Sequence, residues 1–175
     1  MIQTSLQNVL RIFSITAALC AGLLASPAHA VSVGDVAPEF EAVSLRENMQ
    51  VQLSSYRGRV VYLEFWASWC PPCWDAFPLL EQVNAELHGE GIEVIGVNVN
   101  DDLSDAKKSI KKIGVSFPLV RPQDDAVMQA YDIKAMPYGV LIDRKGVVRY
   151  TNLGLKKSNL YELKKMIRRL QWTGL

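Results

Sequence analysis

The apolar and polar positions divide the chain into an N-terminal apolar stretch and a longer region where strand-like and helix-like periods alternate. Val60 to Trp66 is a continuous β-branched and aromatic run, which predicts a buried central strand. Ile92 to Val99 predicts a second. Between them, Phe77, Leu80, Val83, Asn84 and Leu87 fall at helical spacing, which predicts a helix from Cys70 or Pro71 to about Leu87. Proline suits a first helical position, Pro78 should kink the helix, and His88-Gly89-Glu90-Gly91 should end it. Further helices are expected from a cap at Asp102 or Ser104 to about Ile113, over Asp124–Tyr131, and from Ser158 to about Leu170. Gly139–Ile142 and Val147–Tyr150 read as a hairpin around Asp143–Gly146. Upstream, Phe40–Leu45 and Gln50–Leu53 flank a polar turn at Arg46–Asn48. Alternating strands and helices, followed by a hairpin and a helix, predict an α/β fold. It should have a central mixed β-sheet, helices on both faces and an N-terminal β lead-in.

The first thirty residues change the domain picture. They hold one charged side chain, Arg11, followed by the apolar run Ile12–Ala25, a break at Ser26-Pro27, and Ala28-His29-Ala30. This order of positive, apolar and small-residue regions reads as a signal peptide cleaved after Ala30. The run is roughly 14 residues, short of the ~20 that span a bilayer comfortably. An uncleaved anchor is the alternative. A lipoprotein site at Cys20 fits poorly, because Leu19 is bulky where such sites want a small residue. The expected organisation is a signal peptide over residues 1–30 and a single domain over 31–175.

About half of the residues are apolar (49%) and about a fifth charged (21%), which allows a sizeable core. The net charge of +1 becomes zero once Arg11 is removed. Neither the charge nor the sparse aromatics suggest a nucleic-acid partner.

Loss of the leader also removes Cys20 and leaves two cysteines, Cys70 and Cys73. A bridge between residues so close closes a tiny loop and removes little unfolded-state entropy, so the pair reads as reactive rather than structural. A thiolate is the attacking form. Cys70 follows a strand and opens a helix, where unpaired N–H groups and the helix dipole favour negative charge. Cys70 is therefore the expected nucleophile and Cys73, one turn on, the resolving thiol. Half of a zinc site is a poor alternative, since such sites need about four ligands and His88 is the remaining histidine; no metal or cofactor is expected. Glu64 lies inside the apolar strand, where alternation turns it inward with Tyr62 and Trp66. Burial should raise its pKa and suit it to accept a proton from Cys73. A solvated strand end is the competing reading. Met136-Pro137 precedes a strand, and a cis peptide there would leave the Met136 backbone free to pair with an extended substrate.

Phe65-Trp66-Ala67-Ser68-Trp69-Cys70-Pro71-Pro72-Cys73 resembles the active-site segment of the thioredoxin superfamily. Pro78, Glu64 and Met136-Pro137 match its kinking proline, buried acid and cis-proline loop. Val33–Phe40 and Leu53–Gly58 resemble the lead-in of its extracytoplasmic TlpA, ResA and CcmG-like branch. The resemblance runs from about Gly34 to Arg169. It implies a thioredoxin-like fold and a periplasmic thiol–disulfide oxidoreductase that reduces protein disulfides. The client type it implies is apocytochrome c in cytochrome c maturation, and the electron source a membrane thiol donor. A monomer is expected, with Cys70, Cys73 and Glu64 as catalytic residues and Met136, Pro137 and Trp69 in contact with substrate.

Three positions depart from the pattern. Ala76 replaces a glutamate found in some relatives, which shifts acid–base work onto Glu64. Trp74 stands where a basic residue is common, either as packing or as a docking surface. Ala135 replaces a glycine two before the proline and should narrow the substrate groove. The rival readings are a disulfide oxidase or isomerase, a peroxiredoxin, and a Cu(I)-binding thioredoxin-like protein. The peroxiredoxin needs a threonine where Ala67 stands. The basic C-terminal residues Lys156, Lys157, Lys164, Lys165, Arg168 and Arg169 read as a solvated helix face, and Trp172 falls past the predicted helix.

Overall fold

A computed structural model of the protein describes residues 31–99 and 102–173. The signal peptide expected at residues 1–30, with Arg11 and Cys20, lies outside the described residues. The strands are β1 (Glu41–Ser44), β2 (Gln50–Gln52), β3 (Val60–Trp66), β4 (Ile92–Asn98), β5 (Leu119–Pro122), β6 (Tyr138–Ile142) and β7 (Val148–Leu153). The helices are α1 (Pro71–Leu87), α2 (Leu103–Ile110), α3 (Ala126–Ala130) and α4 (Lys157–Trp172). The seven strands form one sheet in the order β2-β1-β5-β4-β3-β6-β7. β3 runs parallel to β4 and antiparallel to β6, so the sheet is mixed.

Every residue of β3 and β4 is buried. Their unbroken apolar character follows from burial on both faces. Neighbouring residues on a strand point to opposite faces. Trp66 meets Phe77 of α1 edge-on at 5.3 Å, while Phe65 meets Tyr131, just after α3, at 5.1 Å. α1 and the end of α3 therefore cover opposite faces. α4 joins the α1 face, where Lys164 pairs with Glu86 at 2.7 Å.

Several boundaries differ from the predicted ones. α2 stops at Ile110 rather than about Ile113, and its cap is Asp102, whose carboxylate accepts the Ser104 N–H at 2.6 Å. α3 is shorter than Asp124–Tyr131. Ser158 lies inside α4; the helix is entered at Lys156, whose N–H is accepted by the Asn159 side chain at 2.7 Å. α4 also continues to Trp172, which is therefore its last residue rather than a residue beyond it. α1 runs through Pro78 and gives way to a short 3-10 turn, His88–Glu90, before Gly91 with φ 88°.

The lead-in is pinned at both ends. The Tyr131 hydroxyl donates to the Pro38 carbonyl at 2.7 Å, and Arg46 donates to the carbonyls of Phe117 and Val115 at 3.0 and 2.6 Å. β5 has no counterpart among the predicted strands. It pairs parallel with β4 and antiparallel with β1, and so joins the lead-in to the central sheet.

Candidate functional site

β3 ends at Trp66, and a turn through Ala67, Ser68 and Trp69 delivers Cys70 to the start of α1. The Cys70 N–H donates to the Ala67 carbonyl at 3.2 Å, and the Cys73 N–H to the Cys70 carbonyl at 3.1 Å. Cys70 occupies the N-cap position in extended geometry, with prolines filling the first two helical positions. Those prolines lack N–H groups, which would lie unpaired there in any other residue. Cys70 and Cys73 are joined by a disulfide with Cα atoms 5.4 Å apart. Both are nearly inaccessible, at 3% and 1% of full exposure, whereas Trp69 beside them is 65% exposed.

The register of the sheet brings a distant segment to this pole. Phe65 near the end of β3 pairs with Tyr138 at the start of antiparallel β6. Met136-Pro137, immediately before β6, therefore meets the end of β3 although it is far away in sequence. The peptide bond between these two residues is cis. The Pro137 carbonyl accepts the Gly154 N–H at 2.9 Å, which fixes the loop to the end of β7. A groove of about 450 Å³ opens here, lined by Trp69, Cys70, Pro71, Val99, Met128, Ile133 and Met136, with Lys134 and Ala135 at its wall. Crevices at the carboxyl ends of strands are where α/β sheets bind their ligands.

Glu64 lies apart from the groove, within β3, and is 1% exposed. Its Oε2 accepts the Tyr62 hydroxyl at 3.1 Å, while Oε1 has no hydrogen-bond partner among the described residues. Burial pushes its carboxyl up to about 8, against the lowering effect of the Tyr62 bond. The inward orientation expected from strand alternation is thus observed. Trp74 packs edge-on against Phe77 and donates to the Ser68 carbonyl at 3.3 Å, which bears out the packing reading. Ala76 is buried. The exposed α4 cations do not line the groove. Among the described residues, no three His, Cys, Asp or Glu side chains gather as a metal centre requires.

The sequence marks Cys70, Trp69 and Met136 but not Val99, Met128, Ile133 and Lys134, which complete the groove. They come from three separate segments, and only the sheet order brings them together. A turn bearing a disulfide, an adjoining loop and an apolar groove can together hold an extended chain beside a reactive sulfur.

The chain matches the Redoxin family over residues 32–167. It is 35% identical over 120 residues to the thiol-disulfide oxidoreductase ResA of Geobacillus kaustophilus, covering 69% of this chain and 68% of that one. It is 30% identical over 147 residues to ResA of Bacillus subtilis, covering 83% and 82%. Among solved structures it resembles a Chlorobium tepidum protein assigned as a thiol:disulfide interchange protein DsbE. The TM-score is 0.76 and the identity 32%, over 81% of this chain and 99% of that one. Family match, relatives and fold agree: the chain belongs to the Redoxin family, in the ResA-like branch of the thioredoxin superfamily, and is a thiol–disulfide oxidoreductase.

Proposed function

We propose that this oxidoreductase works outside the cytoplasm as a reductase of protein disulfides, through Cys70 as nucleophile and Cys73 as resolving thiol. The observation that carries the reading is the placement of Cys70 at the N-terminal end of α1, facing the groove beside Met136. A thiolate there gains from the helix end. In the dithiol form, the Cys70 thiolate attacks one sulfur of a client disulfide. A Cys70–client disulfide forms and the other client sulfur leaves as thiolate. Cys73 loses its proton to the Glu64 carboxylate and attacks the Cys70 sulfur. The second client thiolate leaves, and the Cys70–Cys73 disulfide seen here forms. The client gains two electrons, which a membrane thiol donor returns to the protein. A carboxyl poised near neutral pH suits such proton transfer.

Trp69, Met136 and Pro137 would hold the client segment by apolar contact and backbone pairing. Disulfides of apocytochrome c are the client type, in keeping with the branch to which the chain belongs. Residues 1–30 would act as the export signal. Among the described residues no helix is long and apolar enough to cross a membrane.

Trapping tests the assignment. Cys73→Ser should accumulate mixed disulfides with its clients, and mass spectrometry of the captured proteins identifies them. Cys70→Ser should capture none and lose turnover. Equal capture by both variants would overturn the assigned roles.

A further inference from the structure

We propose that Tyr62 and Asn152 are positioning residues that set the proton affinity of Glu64 through a hydrogen-bonded chain laid across the gap left by Gly139. The proposal rests on the reading of Glu64 as proton acceptor for Cys73.

The chain of contacts follows from register. Glu64 of β3 pairs with Gly139 of β6, and Gly139 pairs with Asn152 of β7. Residues in register across a sheet project to the same face. The middle position of this row carries no side chain, so a gap separates the carboxyl from the amide. Tyr62, two residues before Glu64 and on the same face, sends its hydroxyl into that gap. The oxygen lies 3.1 Å from Glu64 Oε2 and 2.9 Å from Asn152 Oδ1. A Cβ on Gly139 would overlap the hydroxyl and the Asn152 oxygen and come within 2.7 Å of Tyr62 Cζ. Tyr62 and Glu64 are fully buried and Asn152 nearly so.

A hydroxyl has one proton to give and accepts in return. Between two acceptors, one contact would lack a proton. The conflict resolves in two ways. With Glu64 protonated, its O–H donates to Tyr62, and Tyr62 donates to Asn152 Oδ1. With Glu64 ionised, Tyr62 donates to the carboxylate, and the Asn152 amide turns to donate Nδ2–H to the tyrosine oxygen. Among the described residues Nδ2 has no hydrogen-bond partner, so the turn breaks no other bond. Both protonation states are thus hydrogen-bonded in a buried place where an unmet polar group is costly. The ionised state gains more, because its bond is charge-assisted.

The surrounding titratable groups leave this chain dominant. Tyr62 is the group on β3, and Tyr150 of β7 acts on Tyr62 from across the sheet. From α4, which packs on β3, Lys164 is held by Glu86 of α1. Asp75 and Glu86 of α1 are exposed. Cys70 and Cys73 do not titrate while disulfide-bonded.

The experiment is a carboxyl-carbon NMR titration of Glu64 in the oxidised full chain, comparing wild type, Tyr62→Phe and Asn152→Leu. Tyr62→Phe should raise the Glu64 midpoint by about one pH unit, a tenfold gain in proton affinity. Asn152→Leu should move it the same way by less. A midpoint unmoved or lowered in a folded Tyr62→Phe protein overturns the proposal; near-UV circular dichroism establishes the fold. Should Tyr62→Phe fail to fold, Asn152→Leu alone decides by the same criterion. The pH profile of mixed-disulfide resolution is measured on the same variants. A moved carboxyl with an unmoved profile upholds the chain of contacts and overturns the proton-acceptor role instead.

Discussion

A carboxylate amid the apolar run Val60–Trp66 has to be buried or functional, and strand alternation alone puts Glu64 on the face of Tyr62 and Trp66. Its partners cannot be read the same way. Asn152 reaches it only through the pairing of three strands, and no local pattern encodes that register. Burial of Glu64 has a measurable consequence. Its pKa is raised to about 8 from an ordinary 4.5, so between these values the folded chain keeps a proton that the unfolded chain has released. The unfolded state then binds fewer protons, and stability falls as pH rises through this window. The full effect is on the order of 5 kcal/mol. Glu64→Gln lacks the titration, so the variant should gain on the wild type as pH rises. Urea unfolding on both sides of the window measures this, and parallel pH curves for the two proteins would refute it.

Among the elements, α1 is the most legible. Its apolar spacing and its opening prolines define it without help from the rest of the fold. β5 is the least legible. It is short, follows Pro118 and ends at Pro122, and prolines argue against a strand. It is tolerated because Pro122 stands at the strand end, where the next N–H, of Gln123, makes the bond to the Glu41 carbonyl at 3.0 Å. The hairpin of β6 and β7 is visible in the sequence but longer than its pattern suggests, since Thr151–Leu153 lacks apolar alternation. Its turn is organised by Asp143. One carboxylate oxygen accepts the N–H groups of Lys145 and Val147, both at 2.9 Å, and the other accepts Arg149 at 2.7 Å. Burial pushes this carboxyl up, but the Val147, Arg149 and Lys145 bonds together hold it below its ordinary value. Asp143→Ala would leave these donors unmet and should cost about 2–4 kcal/mol. Calorimetry would register the loss, and hydrogen exchange should quicken first along β6 and β7. Protection unchanged in both strands would show that the turn does not govern the hairpin. Because the hairpin holds Pro137 and Asn152 together at its open end, its integrity bears on the site directly.

At the scale of the molecule, the alternation of strands and helices points to the right architecture, and the order of strands does not follow from it. That order makes the site, because it sets the ends of β3 and β4 and the start of β6 side by side. The disulfide at this pole couples folding to redox state. By loop-closure entropy a bridge over so few residues contributes only about 2 kcal/mol. In a reductase the folded chain should favour the disulfide, so the oxidised protein should resist urea better than the reduced one. The reverse order, with the dithiol form the more stable, would mark a disulfide donor and refute the reductase reading. Gly139 has a consequence on a longer timescale. A mutation that adds a methyl group there meets the end of the Tyr62 ring as well as its hydroxyl, and the Asn152 amide on the other side. A lineage that loses the hydroxyl alone still meets the Tyr62 ring carbon and the Asn152 oxygen, and so keeps the glycine until both neighbours have become smaller. Three positions far apart in the chain thereby share one evolutionary fate, and the two that surround the glycine must change before it can.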